Sequence, residues 1–462
     1  MSPKRPLRVA VVGSGPAGFY AAGALLASED PVFEVDMIER LPTPWGLVRL
    51  GVAPDHPKIK DVSRAFERIG ARRGFRFLGN VEVGRDLTPD DLARLYDAVV
   101  YAVGAQTDRH LGIPGEDLSG SWPATVFVAW YNGHPDFQDL EFDLSGERAV
   151  VIGNGNVAVD VARMLALTAE ELAPTDTTDP AIEAIAGSGI REILMLGRRG
   201  PVQGAFTTPE LIELCELAGA DVIVDPAELE LDPASAAELE AGTAIQKRNL
   251  DVLREFTARA PTGKPGSLHL RFRVSPVAIL GDDRVEAIEI VRNELVPDGR
   301  GSVRAVPTGV REVIPCSVVF RSVGYRGVEL PGVPFDGDRA TIRNDRGRVL
   351  DGESCHVPGV YCAGWIKRGP SGVIGTNKKD ASETIELLLE DARSGALPRA
   401  PDASAEAVDE LLARRGADVV TYSGWELIDK VETERGVPLG RPRVKLATWD
   451  ELLDASRGVT AR

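Results

Sequence analysis

Residues 8 to 18 read Arg-Val-Ala-Val-Val-Gly-Ser-Gly-Pro-Ala-Gly. The β-branched apolar run ending at Val12 reads as a buried parallel strand, and Ala17 to Ala27 behind it is helix-like. The glycines between them have the spacing of a dinucleotide-binding turn. Gly13 permits the tight turn, Gly15 lets backbone amides approach a pyrophosphate, and Gly18 lets the helix pack close to the strand. That spacing alone is a weak signal, and a glycine turn in another kind of α/β protein is the competing reading. Glu39 strengthens the first: it closes Val-Asp-Met-Ile-Glu, where a carboxylate accepts hydrogen bonds from a ribose.

The pattern returns once. Arg148-Ala-Val-Val-Ile precedes Gly153-Asn-Gly-Asn-Val-Ala158, with Asn154, Gly155, Asn156 and Val157 forming the second turn. Two fingerprints predict an α/β fold with two Rossmann-like dinucleotide-binding domains. Tyr96 to Ala105 reads as a buried strand ending in a glycine turn, and Val313 to Tyr325 mirrors it. Two such strands bracketing the second fingerprint imply an insertion, with residues 108–324 inserted into a domain made of 1–107 and 325–462. Further expectations are a helix near Ile59 to Ile69, a strand pair over Phe75 to Gly84, and a helix after the second fingerprint reaching about Leu172. Strands near Leu268 to Leu280 and Arg284 to Val296 are expected to pair, behind a helical stretch from Ala236 to Ala258. A last strand at Gly359 to Trp365 leads through Gly372-Val-Ile-Gly-Thr-Asn to a helix from about Asn377 to Ala392, whose free amides suit negative charge on a reduced flavin. The C-terminal stretch shows no legible chemistry.

Composition narrows the function classes. A chain of 462 residues has room for about two to three domains. Its net charge of −17 argues against a nucleic-acid binder, which needs clustered Lys and Arg. Cys215, Cys316, Cys355 and Cys362 have no redox-pair or metal spacing, so neither disulfide chemistry nor a metal is expected. No apolar run is long enough to span a bilayer, and Met-Ser-Pro-Lys-Arg-Pro leads into the first strand without a signal-peptide core, so no membrane and a cytoplasmic location are expected.

The ends of the two second strands separate the ligands. Glu39 suits an unphosphorylated ribose such as that of FAD or NAD. Gly197-Arg-Arg-Gly puts Arg198 and Arg199 where the second fingerprint would seat its ribose, and two guanidinium groups without an acid point to a 2′-phosphate, hence NADPH. A solvated surface pair or a partner-docking patch is the other reading of these arginines. FAD beside NADPH implies hydride transfer to the flavin, which then releases electrons singly.

On these residues the chain resembles the adrenodoxin reductase-like ferredoxin–NADP reductases, actinobacterial members above all. The stretches that carry the resemblance are Leu41-Pro-Thr-Pro-Trp-Gly-Leu-Val-Arg, Gly51-Val-Ala-Pro-Asp-His-Pro-Lys, Tyr101-Ala-Val-Gly-Ala, Gly153-Asn-Gly-Asn-Val-Ala, Gly197-Arg-Arg-Gly-Pro, and Gly364-Trp-Ile-Lys-Arg-Gly-Pro-Ser-Gly-Val-Ile-Gly-Thr-Asn-Lys-Lys-Asp. The resemblance implies FAD contacts at Ala17, Glu39, Leu47, Val83, Trp365, Gly372, Val373 and Ile374. It implies NADPH contacts at Asn154 to Val157, Arg198, Arg199, Glu210 and Gly372, with Arg109 near the domain hinge. His56 and Glu213 match the positions that the family places near the two rings, where a His–carboxylate pair could orient the nicotinamide or move a proton. From the residues alone, His56 as a turn residue and Glu213 on a solvated helix face are equally open. Ile212 stands where family members often have an Arg, which makes partner geometry less transferable than cofactor binding.

The implied partner is a ferredoxin, a small acidic iron–sulfur protein, so this acidic chain must expose a local basic patch. The candidates are Lys367-Arg368, Lys378-Lys379, Arg198-Arg199, and Lys58 with Lys60. Two alternatives stand beside the NADPH-dependent ferredoxin reductase: an NADPH oxidoreductase acting on quinones or other small acceptors, and a non-catalytic flavoprotein that senses nicotinamide redox state.

Overall fold

The computed structural model describes residues 5–299 and 301–459. The chain forms two compact units, one built from residues 1–107, 132–135 and 325–462, the other from 108–131 and 136–324. Each is a Rossmann-like α/β layer structure, the second inserted into the first.

In the first unit five parallel strands stand in the spatial order His356–Cys362, Ala98–Tyr101, Leu7–Val12, Phe33–Glu39, Phe75–Gly79, extended at the outer edge by antiparallel Arg348–Leu350 and Asn344–Asp345. Every residue of Leu7–Val12 is buried, as its continuous apolar run requires of a strand covered on both faces. The order reverses beside this strand, so its carboxyl end opens at a topological switch point, where open α/β sheets bind ligands. Phe19 of the following helix stacks on Phe66 of helix Ser63–Gly70 with ring centroids 4.8 Å apart.

The second unit repeats the plan. Six parallel strands run in the order Ser121–Pro123, Val318–Arg321, Arg148–Ile152, Glu192–Leu196, Gly266–Arg271, Ala220–Val224. The switch point falls at the end of Arg148–Ile152, directly before the second fingerprint. An antiparallel sheet of Val274–Leu280, Ala287–Pro297 and Val303–Pro315 completes the unit.

Several local expectations need correction. The apolar run 268–280 is two strands in two sheets, because Arg273 takes a left-handed backbone with φ 56° and breaks it. Only its second half pairs with Ala287–Pro297; the first joins the parallel sheet. Phe75–Gly79 is a single strand rather than the first of a pair, since Asn80 at φ 57° turns the chain. The helix near residues 59–69 is two pieces, Pro57–Lys60 and Ser63–Gly70. The helix after the second fingerprint stops at Ala166, and Thr168 caps a separate turn, Ala169–Leu172. Thr243 likewise caps a new helix, Ala244–Ala258, dividing the stretch expected at 236–258. Among the described residues no helix is long and apolar enough to cross a membrane.

The C-terminal helices have a task that their sequence did not reveal. Glu432, fully buried in helix Tyr422–Gly436, accepts two hydrogen bonds from the Arg49 guanidinium at 2.8 and 2.5 Å, one from Arg443 at 3.1 Å, and one from the Leu446 amide at 2.9 Å. Arg49 lies 5.3 Å over the Trp425 ring, Arg443 5.7 Å over Trp45, and the two indoles meet edge to face at 4.9 Å. Trp45 sits at φ 85°, a costly conformation for a bulky side chain, while its amide donates to Ser14 O within the first fingerprint at 3.0 Å. The buried ion network thus holds a strained loop against the first turn.

Burial pushes the Glu432 carboxyl up, but Arg49, Arg443 and the Leu446 amide outweigh it and hold it below the ordinary carboxylate range. A lowered folded-state value stabilises the fold above the unfolded carboxyl's pKa, about 4.3, and that stability is lost as pH falls toward the folded value. Glu432→Gln leaves the buried Arg49 guanidinium without its carboxylate, while Arg443 keeps Asp429 at 2.6 Å, and is expected to cost about 3–5 kcal/mol at pH 7, with a shallower acid limb. Urea unfolding of both proteins across pH 3 to 7 checks this; equal stability at pH 7 would refute it.

Candidate functional site

The first turn is built by the absence of side chains. Gly13 takes φ 103°, and a Cβ there would lie 2.6 Å from Ala102 O; a Cβ on Gly18 would lie 2.0 Å from Gly13 O. A Cβ on Gly15 would meet nothing within 4 Å, so the backbone is open at the one position where a pyrophosphate must approach. Behind the turn comes helix Pro16–Leu25, with Pro at its first position, where no amide is needed. Glu39 closes its strand beside the turn: one carboxylate oxygen accepts from the Ser14 amide at 3.0 Å and hydroxyl at 2.6 Å, the other from the Leu41 amide at 3.0 Å. Its orientation is therefore set by protein donors.

Around this turn lie the other expected FAD contacts of the same unit. Ala17 is buried, and Gly364 approaches it so closely that a Cβ on Gly364 would lie 2.6 Å from the Ala17 Cβ. Leu47 opens the short helix Leu47–Leu50 and is exposed, while Val83 is buried. Trp365 donates its indole N–H to Ser371 O at 3.2 Å and packs 5.3 Å from Tyr325. Gly372, at φ 80°, precedes Val373, whose amide donates to Thr376 Oγ1 at 3.2 Å as helix Ile374–Ser394 begins. His56 is buried at the N-terminus of Pro57–Lys60.

Asp380 organises the glycine-rich turn and was missed in the sequence. It accepts from the Gly364 amide at 2.5 Å and pairs with Lys367 at 3.1 Å and Arg368 at 3.5 Å, all three side chains largely buried. Lys367-Arg368, one of the candidate basic patches, therefore shares one carboxylate and is half compensated. Only the Asp at the end of the long motif hinted at this, and nothing local tied it to the cations.

The second unit carries the other set. Gly153 takes φ 135°, and a Cβ there would lie 2.2 Å from Ser322 O; a Cβ on Gly155 would lie 3.9 Å from Ala205. Asn154 O accepts from the Ala205 amide at 2.9 Å, and Asn156 Oδ1 from the Thr207 amide at 2.7 Å, which ties the start of helix Asn156–Ala166 to the loop leading into Thr208–Glu213. Val157 is half-buried in the first turn of that helix. Arg198 and Arg199 follow the second strand as expected. Their carbonyls are pinned by Asn293 at 2.8 Å and the Arg273 amide at 2.9 Å, yet among the described residues no carboxylate pairs with either guanidinium. Held backbone and unpaired charge are the features by which guanidinium groups can receive a phosphate. The Arg109 amide donates to Gly324 O at 2.9 Å where the chain enters and leaves this unit.

Asp160 and Arg163, on the inward face of helix Asn156–Ala166, meet Glu210 and Glu213 from Thr208–Glu213. Arg163 donates to Asp160 at 2.7 Å. Burial, then the charges of Glu210 and Glu213, then a hydrogen bond with Glu210 push the Asp160 carboxyl well above its usual range. Burial and the two neighbouring glutamates thus favour the protonated form of Asp160, in which it can donate to Glu210. The i, i+3 pair of an acid and a base was visible in the sequence; its burial was not.

A raised folded-state value means that the native protein binds more protons than the unfolded one, so this site loses stability as pH rises from about 3.9 toward the folded value. Asp160→Asn keeps a neutral donor and is expected to be at least as stable as the parent at pH 7, with that slope removed. Asp160→Ala strips Glu210 and Arg163 of a partner and should cost about 1–3 kcal/mol. Urea midpoints between pH 5 and 8 distinguish the outcomes, and a loss in the Asn variant as large as in Ala would exclude a protonated Asp160.

Comparison with known proteins agrees with both turns. Residues 7–179 match the pyridine nucleotide-disulphide oxidoreductase family. The chain is 51% identical over 462 residues to the NADPH-ferredoxin reductase FprA of Mycobacterium tuberculosis, covering 98% of this chain and 100% of that protein. It is 41% identical to the mitochondrial NADPH:adrenodoxin oxidoreductase of Arabidopsis thaliana, covering 98% and 96%. The solved structure of M. tuberculosis FprA in complex with NADPH superposes with a TM-score of 0.93 over 98% of this chain and 100% of the other. With FAD and NADPH as its cofactors, this chain is an oxidoreductase belonging to the adrenodoxin reductase-like ferredoxin–NADP reductases.

Proposed function

We propose that the protein binds FAD on the unit formed by 1–107 and 325–462, binds NADPH on 108–324, and passes electrons in the cytoplasm to a ferredoxin-type iron–sulfur protein. The observation that carries this division is the contrast between the second-strand ends: a carboxylate locked by backbone amides at Glu39, and two unpaired guanidinium groups at Arg198 and Arg199. The first accepts from a plain ribose; the second matches a dianionic 2′-phosphate and would be a liability beside an unphosphorylated one.

The bound nicotinamide–flavin pair supplies hydride transfer and the step from two-electron to one-electron chemistry. The residues supply the rest. The open backbone at Gly15, in the turn that Gly13 and Gly18 close, and the amides of Asn154 to Val157 receive the pyrophosphates, each at a helix N-terminus whose dipole favours negative charge. Ala17, Leu47, Val83 and Trp365 wall the flavin unit, and Gly372 to Ile374 present the start of a 21-residue helix. Glu210, held by the Asp160 proton, contributes to nucleotide binding, with Arg109 at the chain crossing. His56 and Glu213 orient the nicotinamide or carry a proton, for which imidazole is suited near neutral pH.

Rapid bleaching of the bound flavin by NADPH, followed by turnover with a ferredoxin, is the expected behaviour; an unbleached flavin would overturn the reading. Replacing both Arg198 and Arg199 with Ala removes charge-assisted hydrogen bonds and should raise the KM for NADPH about 10- to 100-fold with little change for NADH. Equal effects on the two nucleotides would take the 2′-phosphate away from these residues.

A further inference from the structure

We propose that the exposed cations Lys58, Arg64, Arg68, Arg72 and Arg73, in a row that half-buried Lys60 continues, form the docking surface for a small acidic protein, namely the electron-accepting ferredoxin of the reading above, on which this inference rests. The row follows His56 directly along the chain.

Its geometry comes from a nearly continuous right-handed path. Pro57–Lys60 and Ser63–Gly70 are helical, and Asp61, Val62 and Ala71 between and after them keep right-handed helical angles. Lys60, Arg64, Arg68 and Arg72 are four residues apart and so share one side of that path. Like charges at this spacing work against a helix, so the row does not serve local stability. The helix is held instead from the other side, by buried Phe66 and Ile69.

The charges are mostly unspent. Arg64 is 74% exposed and pairs only with the exposed Asp61, at 3.2 Å. The Arg68 Nε donates to Arg64 O at 3.1 Å and Arg72 to Gly23 O at 3.0 Å. These backbone acceptors fix the guanidinium groups without neutralising them. Among the described residues no carboxylate pairs with Arg68, Arg72 or Arg73. The acid of the same helix, Glu67, acts with Glu426 and Asp429 on Tyr422, whose hydroxyl is pushed up to about 12 by burial first and then by these acids. Tyr422 lies against Gly70, so Glu67 acts there, while Asp61 stays with Arg64.

The sign of the surroundings selects the partner. The chain as a whole carries −17, yet between Pro57 and Arg76 its only acids are Asp61 and Glu67. An extended polyanion would meet the acidic remainder of the surface, whereas a compact acidic protein senses only charges within about a Debye length, roughly 8–10 Å. Complementarity of this kind speeds encounter and fades with salt.

The test is the triple variant R68E/R72E/R73E of the FAD-loaded protein, with R414E, an exposed site on another helix, as control. Turnover is measured with NADPH and either a plant-type [2Fe–2S] ferredoxin or menadione, a neutral small acceptor. Expected is a rise in the ferredoxin KM of about tenfold or more at low ionic strength that shrinks below about twofold near 0.5 M salt, with menadione turnover and R414E unchanged. Unchanged ferredoxin kinetics in the triple variant, with menadione turnover intact, would overturn the docking assignment and leave the reductase reading standing. Absence of ferredoxin turnover by the parent protein, with menadione still reduced, would overturn both. If the triple variant loses menadione turnover, K58E and R73E singly, at the two ends of the row, carry the same comparison. Loss of binding to phosphatidylserine vesicles with unaltered ferredoxin kinetics would give the row to a lipid surface and overturn the inference.

Discussion

The structure of the flavin unit depends on a contact that permits no side chain: Gly18 lies so near Gly13 O that an added Cβ would stand 2.0 Å away. That approach brings helix Pro16–Leu25 down onto its own turn and aims its amide end at the open face of Gly15. Two further segments converge by the same means. A Cβ on Gly46 would lie 2.9 Å from Gly15 Cα, and one on Gly364 would lie 2.6 Å from the Ala17 Cβ. Three pieces of chain, widely separated in sequence, thus meet around one turn because each brings a glycine to the contact. Any methyl among them would push the helix outward and dilute the amide cluster.

The second turn is built with more slack. Gly153 is as constrained as Gly13, with Ser322 O 2.2 Å from an added Cβ, but the third fingerprint position is Ala158, buried with its methyl in place. Its neighbours are tied by hydrogen bonds, from the Ala205 amide to the Asn154 carbonyl and from the Thr207 amide to Asn156 Oδ1. A turn gripped by three segments suits a resident cofactor, and a turn lined by two asparagines and unpaired arginines suits a ligand that exchanges.

Both turns were legible because glycine spacing encodes backbone geometry directly, and the strand–turn–helix order needs only local sequence. Arg198 and Arg199 were legible for a similar reason: the strand end fixes where they sit. What escaped is long-range pairing. Glu432 reads as one more acid on an amphipathic helix, and its partner Arg49 is 383 residues away. Lys367-Arg368 reads as an exposed patch until helix Ile374–Ser394 folds Asp380 against it. Asp160 reads as a solvated helix residue until burial and two neighbouring glutamates make its proton the cheaper solution. The strand break at Arg273 escaped because a left-handed arginine carries no sequence mark.

These pairings also explain how so acidic a protein can attract anions. Its cations fall into two groups. Arg49 and Arg443 are buried or half-buried and matched to Glu432 and Asp429, and Lys367 and Arg368 share Asp380, so these cations act chiefly in cohesion. Arg198, Arg199, Arg68, Arg72 and Arg73 have no carboxylate partner among the described residues and lie on a surface that is otherwise negative. Unpaired charge has little stabilising effect on a fold, and at these two places the ligands proposed above supply an external anion in each case. The two places differ in shape. A pair of adjacent guanidinium groups with pinned carbonyls fits a compact dianion, whose short charge-assisted hydrogen bonds resist screening. A row spread along a helical path presents no such cup and acts through its field, which salt removes. Geometry therefore separates a nucleotide phosphate from an acidic protein surface, although both are recognised by arginine.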